Sequence, residues 1–346
     1  MASQPEDRAR RRLFRPAHLT SRSPISDNSP KVKCLPTRRV KRLSRLTKVT
    51  EKYAEESRRP LFICDYSPPR GADPRLFEPV NSLDVDFVSV AYNPAKSVRV
   101  FSLVAAHWIK ENTGLDVVFS IATRDINTLG AQSLLLGAQV LGLENVIVVK
   151  GDDFNDKERA LVKHVNDIPP TGLLRSIARM NEGLDYRGMK LRSPTDFCMG
   201  ASLDLGRGLE REAKLTKRKV AAGAQYFISQ PTFSPAAAQE FLALYEERHG
   251  DKLQEAVFHG IQVMVRESIP FGDIPQWVTD DLARGRSGVD LALQVLDEFK
   301  EAGFRSFYLV PPILKGGLRD YETTQAVVDA VRSETRGAVG HPVEPG

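Results

Sequence analysis

The amino-acid sequence predicts an α/β protein folded as a (β/α)8 TIM barrel. Three observations lead there. Eight short apolar runs rich in β-branched residues alternate with longer helical patterns, which argues for a parallel sheet. The runs are nearly continuous in apolar residues, as strands buried on both faces are. The part of the chain that holds them, residues 61–346, has 286 residues, a size that suits eight strand–helix units. A doubly wound open sheet is the alternative. No G-x-G-x-x-G follows the first strand, where a dinucleotide fold needs it.

In chain order, residues 1–41 come first and read as a disordered basic arm. They contain Pro5, Pro16, Pro24, Pro30 and Pro36, clustered arginines and little apolar periodicity. Such a segment buries too little surface to offset its chain entropy. Residues 42–57 look like a short helix leading into the barrel domain, taken as 42–335. The strands are expected at 61–65, 85–91, 116–122, 145–150, 196–201, 225–230, 256–263 and 305–310. The clearest helices between them are expected at 98–112, 127–142, 207–222, 234–248 and 288–302. Residues 336–346 read as a flexible C-terminal tail.

Charge separates the arm from the body. Residues 1–60 hold 17 Lys and Arg against 6 Asp and Glu, a net +11, whereas residues 61–346 hold 32 against 38, a net −6. The whole-chain +5 therefore describes neither part, and nucleic-acid binding is not expected from it. Three separated cysteines, Cys34, Cys64 and Cys198, make no disulfide framework or zinc pattern. The six histidines pair with no second ligand at helical spacing, so no metal site is expected. No apolar run reaches the roughly 18–20 residues of a membrane helix, and no secretory h-region is present. The expected location is cytoplasmic.

A barrel collects its chemistry at the C-terminal ends of the strands. Those ends carry Asp65, Tyr92, Arg124 with Asp125, Lys150-Gly151-Asp152, Ser202 and Gln230 in succession. The N-terminal ends show no matching set of polar side chains in the same register. Any one of these residues could merely cap the next helix, since Asp and Ser favour that position. Six on one rim point to a ligand or active site.

Several segments resemble the methylenetetrahydrofolate reductase family, in particular its short single-domain branch found in anaerobes and archaea. They are Ser67-Pro68-Pro69-Arg70-Gly71-Ala72-Asp73-Pro74, Thr123-Arg124-Asp125-Ile126-Asn127 and Lys150-Gly151-Asp152. Further on come Lys217-Arg218-Lys219-Val220-Ala221-Ala222-Gly223-Ala224, Ile228-Ser229-Gln230-Pro231 and Ile274-Pro275-Gln276-Trp277-Val278. The similarity spans roughly residues 45–330. It implies a flavin-dependent barrel that reduces 5,10-methylenetetrahydrofolate to 5-methyltetrahydrofolate in one-carbon metabolism, supplying methionine biosynthesis. The flavin expected is FAD in preference to FMN, with reduced nicotinamide as the electron donor. A homo-oligomer or an electron-transfer partner protein fits the same reading.

The resemblance also implies roles. Asp65 stands where the family places its proton donor, normally Glu; opening the folate ring needs such an acid, and geometry decides whether it works. Asp152 would hydrogen-bond the pterin and tune the flavin. Gln230 would bind the pterin edge, because an amide both donates and accepts. Arg218 and Lys219 would pair with flavin phosphate. Tyr92, Arg124, Asp125, Lys150, Gly151 and Ser202 would complete the flavin rim, with Gly151 allowing close backbone approach.

The sequence departs from the family in places. Asp65 is about one methylene shorter than Glu. Ala122-Thr123 replaces a Thr-Cys pair, and Pro231-Thr232-Phe233 replaces an aromatic run. The segment Pro311-Pro312-Ile313-Leu314-Lys315-Gly316-Gly317 has no counterpart in the family pattern; a glycine-rich loop after the last strand can bind phosphate in barrels, or simply turn. Two other readings stay open. One is a non-reducing folate- or flavin-binding subunit of an electron-transfer or methyl-transfer complex. The other is a pterin-dependent methyl-transfer barrel with a corrinoid partner.

Overall fold

The computed structural model describes residues 47–339, with side chains to residue 334. The basic arm, and all but the first residues of the expected tail, lie outside the described residues. The backbone of the last helix continues to Val339, into the range read as a tail.

Eight parallel strands close on themselves in sequence order. They are β1 (Leu61–Tyr66), β2 (Phe87–Val90), β3 (Val117–Ala122), β4 (Asn145–Val149), β5 (Cys198–Leu203), β6 (Tyr226–Pro231), β7 (Ala256–Gln262) and β8 (Ser306–Val310). β1 pairs with β2 on one side and with β8 on the other, which shuts the barrel. The helices are α1 (Val49–Glu55), α2 (Ser102–Thr113), α3 (Thr128–Val140), α4 (Asp156–Arg159), α5 (Pro170–Asn181), α6 (Leu209–Val220), α7 (Ala236–His249), α8 (Gln276–Ala283), α9 (Gly288–Glu301) and α10 (Tyr321–Val339). The predicted fold class and all eight predicted strands are present, with ends shifted by at most two residues. Helices α4, α5, α8 and α10 are additions to those expected.

Strand alternation sorts the side chains into two layers. Leu61, Ile63, Phe87, Val118, Ile147, Cys198, Tyr226, Ile228 and Phe258 form one buried cluster inside the barrel. Their neighbours, such as Phe62, Cys64, Val88, Phe119 and Phe227, pack outward against the helices. Asp65 and Tyr308 continue the inward-facing parity of β1 and β8. Gly200 is forced by this packing: a Cβ there would lie 2.3 Å from the Tyr226 ring.

The N-terminal end of the barrel shows no polar set in strand-end register, as expected. Polar groups between the strands tie helices to the barrel floor instead. Val49 of α1 enters the inner cluster while its N–H donates to Asn145 Oδ1 at 3.0 Å. Asp86, buried before β2, accepts from both Arg59 guanidinium nitrogens at 3.0 and 2.6 Å and from the Phe62 N–H at 2.9 Å. Arg332 of α10 donates to the Asp84 carbonyl at 2.7 Å. These groups sit between strands rather than on a strand-end register, so sequence periodicity does not display them as a set.

One outward residue makes the fold sensitive to acid. His259 of β7 packs against the rings of Phe299 and Phe304, at centroid distances of 5.5 and 4.2 Å. Burial lowers its pKa from 6.5 to about 4. The unfolded chain therefore takes up a proton below pH 6.5 that the folded chain refuses until about pH 4. Stability is expected to fall across that window by at most about 1.4 kcal/mol per pH unit from this residue. Urea unfolding of the wild type and His259→Leu at neutral and acidic pH checks this. The variant should lose that part of the slope, and an unchanged slope would contradict it.

Candidate functional site

The C-terminal rim brings the expected residues into three neighbouring sectors. In the first, Asp65 ends the inward face of β1 and is only 6% exposed. Tyr308 of β8 donates its hydroxyl to Asp65 Oδ1 at 2.8 Å. The two strands pair with Ile63 opposite Tyr308, which places the phenol one inward step below the carboxylate. Burial, then the Asp65 charge, push the Tyr308 phenol well above its ordinary value, so it stays protonated and donates. Arg319, in the loop after β8, brings Nη2 to 3.5 Å from Asp65 Oδ2 and donates from Nε to Ser67 Oγ at 3.1 Å. The Ser67 N–H donates to the Tyr321 hydroxyl oxygen at 3.1 Å, joining β1 to the start of α10. The carboxylate is thus fixed in direction by two elements far from it in sequence.

The second sector lies beyond β3 and β4. Arg124 makes a two-pronged contact with Asp125, Nε to Oδ1 and Nη2 to Oδ2, both at 2.7 Å. It also donates to the Asp152 carbonyl at 2.9 Å and lies 4.4 Å over the Phe154 ring. Tyr92 hydrogen-bonds Asp125 and meets Phe101 edge-on; burial first, then the Asp125 charge, raise its pKa to about 12. Gly151 takes φ +85°, and a Cβ there would lie 3.2 Å from the Arg124 Cβ and 3.3 Å from the Ala122 Cβ. Glycine lets the β4 turn close onto β3 in a conformation that L side chains rarely adopt. Lys150 is exposed and spent on Asp153, at 2.9 Å to both oxygens. The Asp152 carboxylate is exposed; it makes no hydrogen bond or ion pair among the described residues, and its charge acts on the nearby Arg124. Beside this sector runs a cleft of about 350 Å³ lined by Asn93, Ser97, Arg124, Asp125 and Phe154, among others.

The third sector follows β5 and β6. Lys219 is buried, with Nζ 3.0 Å from Glu212 Oε1 and 2.5 Å from the Ser202 carbonyl. Burial outweighs Glu212 and pulls its pKa down. Side chains tilt toward the N-terminus of their helix. Lys219, in the last turn of α6, therefore reaches back up to the end of β5. Its neighbour Arg218 is exposed in that last turn, where the chain descends to enter β6, so the topology carries it away from the rim. Gln230 is exposed at the end of β6, beside an irregularity in the β6–β7 pairing, and its amide has no partner among the described residues.

None of the rim candidates caps a helix. The capping side chains are Asp73, Asn127, Asn155, Asp204, Ser287 and Asp320 instead. That removes the plainest structural explanation for the rim set.

A sequence profile described as methylenetetrahydrofolate reductase matches residues 49–307, three quarters of the chain and nearly the whole barrel. The chain belongs to the methylenetetrahydrofolate reductase family. Among solved structures, one described as an uncharacterized protein from Clostridium thermocellum that binds two copies of 5-methyl-5,6,7,8-tetrahydrofolic acid shares the fold. The TM-score is 0.56 at 14% identity, covering 82% of this chain and 99% of that one. At that identity the likeness shows the fold alone. No curated protein matches the chain.

Membership of the methylenetetrahydrofolate reductase family makes the rim the place to look for chemistry. Sequence reading missed Tyr308, Arg319, Phe154 and Glu212 there. A signal existed for two of them. Tyr308 is a polar aromatic on the inward parity of an apolar strand, and Glu212 precedes Lys219 by two helical turns. Arg319 gave none, because it lies in the loop that departs from the family pattern. Among the described residues no cluster of three or more His, Cys, Asp or Glu could hold a metal ion, and no helix is long and apolar enough to cross a membrane.

Proposed function

We propose that this chain reduces 5,10-methylenetetrahydrofolate to 5-methyltetrahydrofolate with a bound flavin. The observation that carries the reading is a pair of polar groups without hydrogen bonds to protein, the Asp152 carboxylate and the Gln230 amide, at the ends of β4 and β6. Two strand spacings separate those ends, about 10 Å. A carboxylate accepts from the amino and ring N–H groups of a pterin, and an amide both donates and accepts along the same edge. Elsewhere on the rim the polar side chains are largely engaged with protein.

The residues present also fit a flavin. The cleft beside Arg124 has a flat cationic and aromatic wall, Gly151 presents backbone without a side chain, and Lys219 offers a buried cation. Tyr92, Arg124, Asp125, Gly151, Ser202 and Lys219 would hold the cofactor. Arg218 would contribute only to a part reaching beyond the rim, and Lys150 only by releasing Asp153. When bound, the flavin supplies the hydride, and FAD with a reduced nicotinamide donor is the assignment we make. The chain's own part is to orient the pterin through Asp152 and Gln230. Asp65, steered by Tyr308 and Arg319, manages the proton at the folate ring nitrogen.

A second reading has specific support. Asp65 is shorter than the Glu it replaces and is turned toward Tyr308 and Arg319, which suits a barrel that binds folate without reducing it. The absorbance spectrum of the purified protein, with identification of released cofactor, tests the first reading. The reductase reading predicts a yellow protein containing FAD whose spectrum bleaches with reduced nicotinamide. A colourless protein that stays inactive after flavin addition would contradict it.

A further inference from the structure

Where β1 and β8 close the barrel, Arg319 meets the Asp65 carboxylate, and Arg99 and Arg70 lie nearby on the β1 side. Arg319 is 92% buried in its side chain, and its Nη1 is buried with no hydrogen-bond partner among the described residues. Arg99 donates from Nε to Ser97 Oγ at 3.0 Å and from Nη1 to the Pro68 carbonyl at 2.8 Å, leaving Nη2 unused. Arg70 is exposed on the β1 loop with no partner among the described residues.

Arg99 feels both of the other cations. Burial, then the charges of Arg319 and Arg70, push the Arg99 guanidinium below its ordinary value, and Asp65 is the carboxylate that opposes them. The loop after β8 closes over this group. Gly316 and Gly317 take φ of +81° and +77°, and a Cβ on Gly317 would lie 3.2 Å from Arg99 Nη2. Successive left-handed glycines let the loop approach the guanidinium without a side chain between them. Lys315 of the same loop is exposed beside it.

Three guanidinium groups against one carboxylate leave two positive charges without a counter-ion in a partly desolvated place. A phosphate dianion matches that excess on one compact group and offers oxygens for several guanidinium donors at once, whereas a dicarboxylate such as a folate glutamate tail spreads the same charge over two separate groups. We propose that Arg70, Arg99 and Arg319, covered by the Gly316–Gly317 turn, form a phosphate-binding subsite on the β1–β8 side of the rim. It is separate from the Lys219 position and takes the phosphate of a phosphorylated ligand. The loop that departs from the family pattern is what builds its roof.

Titration of the whole protein with inorganic phosphate, by calorimetry in low salt above the second ionisation of phosphate, tests this directly. Binding is expected in the wild type and is expected to weaken about ten-fold or more in Arg70→Gln and in Arg99→Gln. Gly317→Ala should weaken it too, by pressing on Arg99. Arg70 holds no contacts whose loss could unfold the protein, and circular dichroism verifies the others. A parallel titration with adenosine 5′-monophosphate separates the sources: tighter binding than phosphate assigns the subsite to a nucleotide, and weaker binding assigns it to free phosphate. Equal phosphate affinity in wild type, Arg70→Gln and Arg99→Gln would overturn the proposal, as would acetate binding as tightly as phosphate. Folate binding, measured separately on the same samples, reports on the reductase reading independently.

Discussion

Asp65→Asn is expected to lower kcat for methylenetetrahydrofolate reduction by about 10²- to 10⁴-fold, the range for loss of a positioned acid or base. The substitution keeps the side-chain shape and the acceptor that Tyr308 uses, so the barrel should fold. Pterin binding should persist, because Asp152 and Gln230 are untouched, and KM should change by less than kcat. Asp65→Glu restores the family's residue and is the sharper variant. The carboxylate is held from two sides, by Tyr308 at 2.8 Å and Arg319 at 3.5 Å. An added methylene must move it toward the ligand or break that hold. A rise in kcat means that the shorter acid is imperfect but serviceable. A fall means that the site is built around Asp. Equal kcat for wild type and Asp65→Asn in steady-state assays would remove Asp65 from the chemistry.

Lys219→Met is expected to destabilise the protein by about 3–5 kcal/mol, because it strands the Glu212 carboxylate, itself 2% exposed, without its cation. It should also weaken flavin retention at least about ten-fold if Lys219 holds the cofactor phosphate. These two effects can be separated. The double variant Glu212→Leu, Lys219→Met removes both charges, and replacing a buried pair by apolar residues is often neutral. Thermal unfolding of the apoprotein should recover in the double variant while flavin affinity stays low. Full recovery of flavin affinity along with stability would assign Lys219 a purely structural place.

The barrel was legible because its signal is local. Runs such as Val117–Ala122 and Ala256–Gln262 are mostly apolar, and each is buried throughout. The largest offsets, two residues, fall at β2 and β5, whereas β3 ends at Ala122 as expected. Helix α5 escaped notice because it opens on two prolines and carries polar residues between its buried Leu173, Leu174, Ile177 and Met180. The candidate site was legible one residue at a time, at strand ends, and less so as a network. Asp65 could be placed from β1 alone. Its partners Tyr308 and Arg319 are more than 240 positions away and meet it only because β8 closes onto β1. Likewise, Lys219 and Arg218 are adjacent in sequence, yet helix geometry turns one up to the β5 rim and leaves the other exposed in the last turn. The basic pair therefore divides into one buried cation at the site and one solvated residue outside it.

The most direct measurement is of the product. The purified, flavin-loaded protein, incubated anaerobically with reduced nicotinamide and 5,10-methylenetetrahydrofolate, should form 5-methyltetrahydrofolate over many turnovers, matched mole for mole by donor oxidation. Tight binding of folate with no 5-methyltetrahydrofolate formed and no donor consumed would contradict the account.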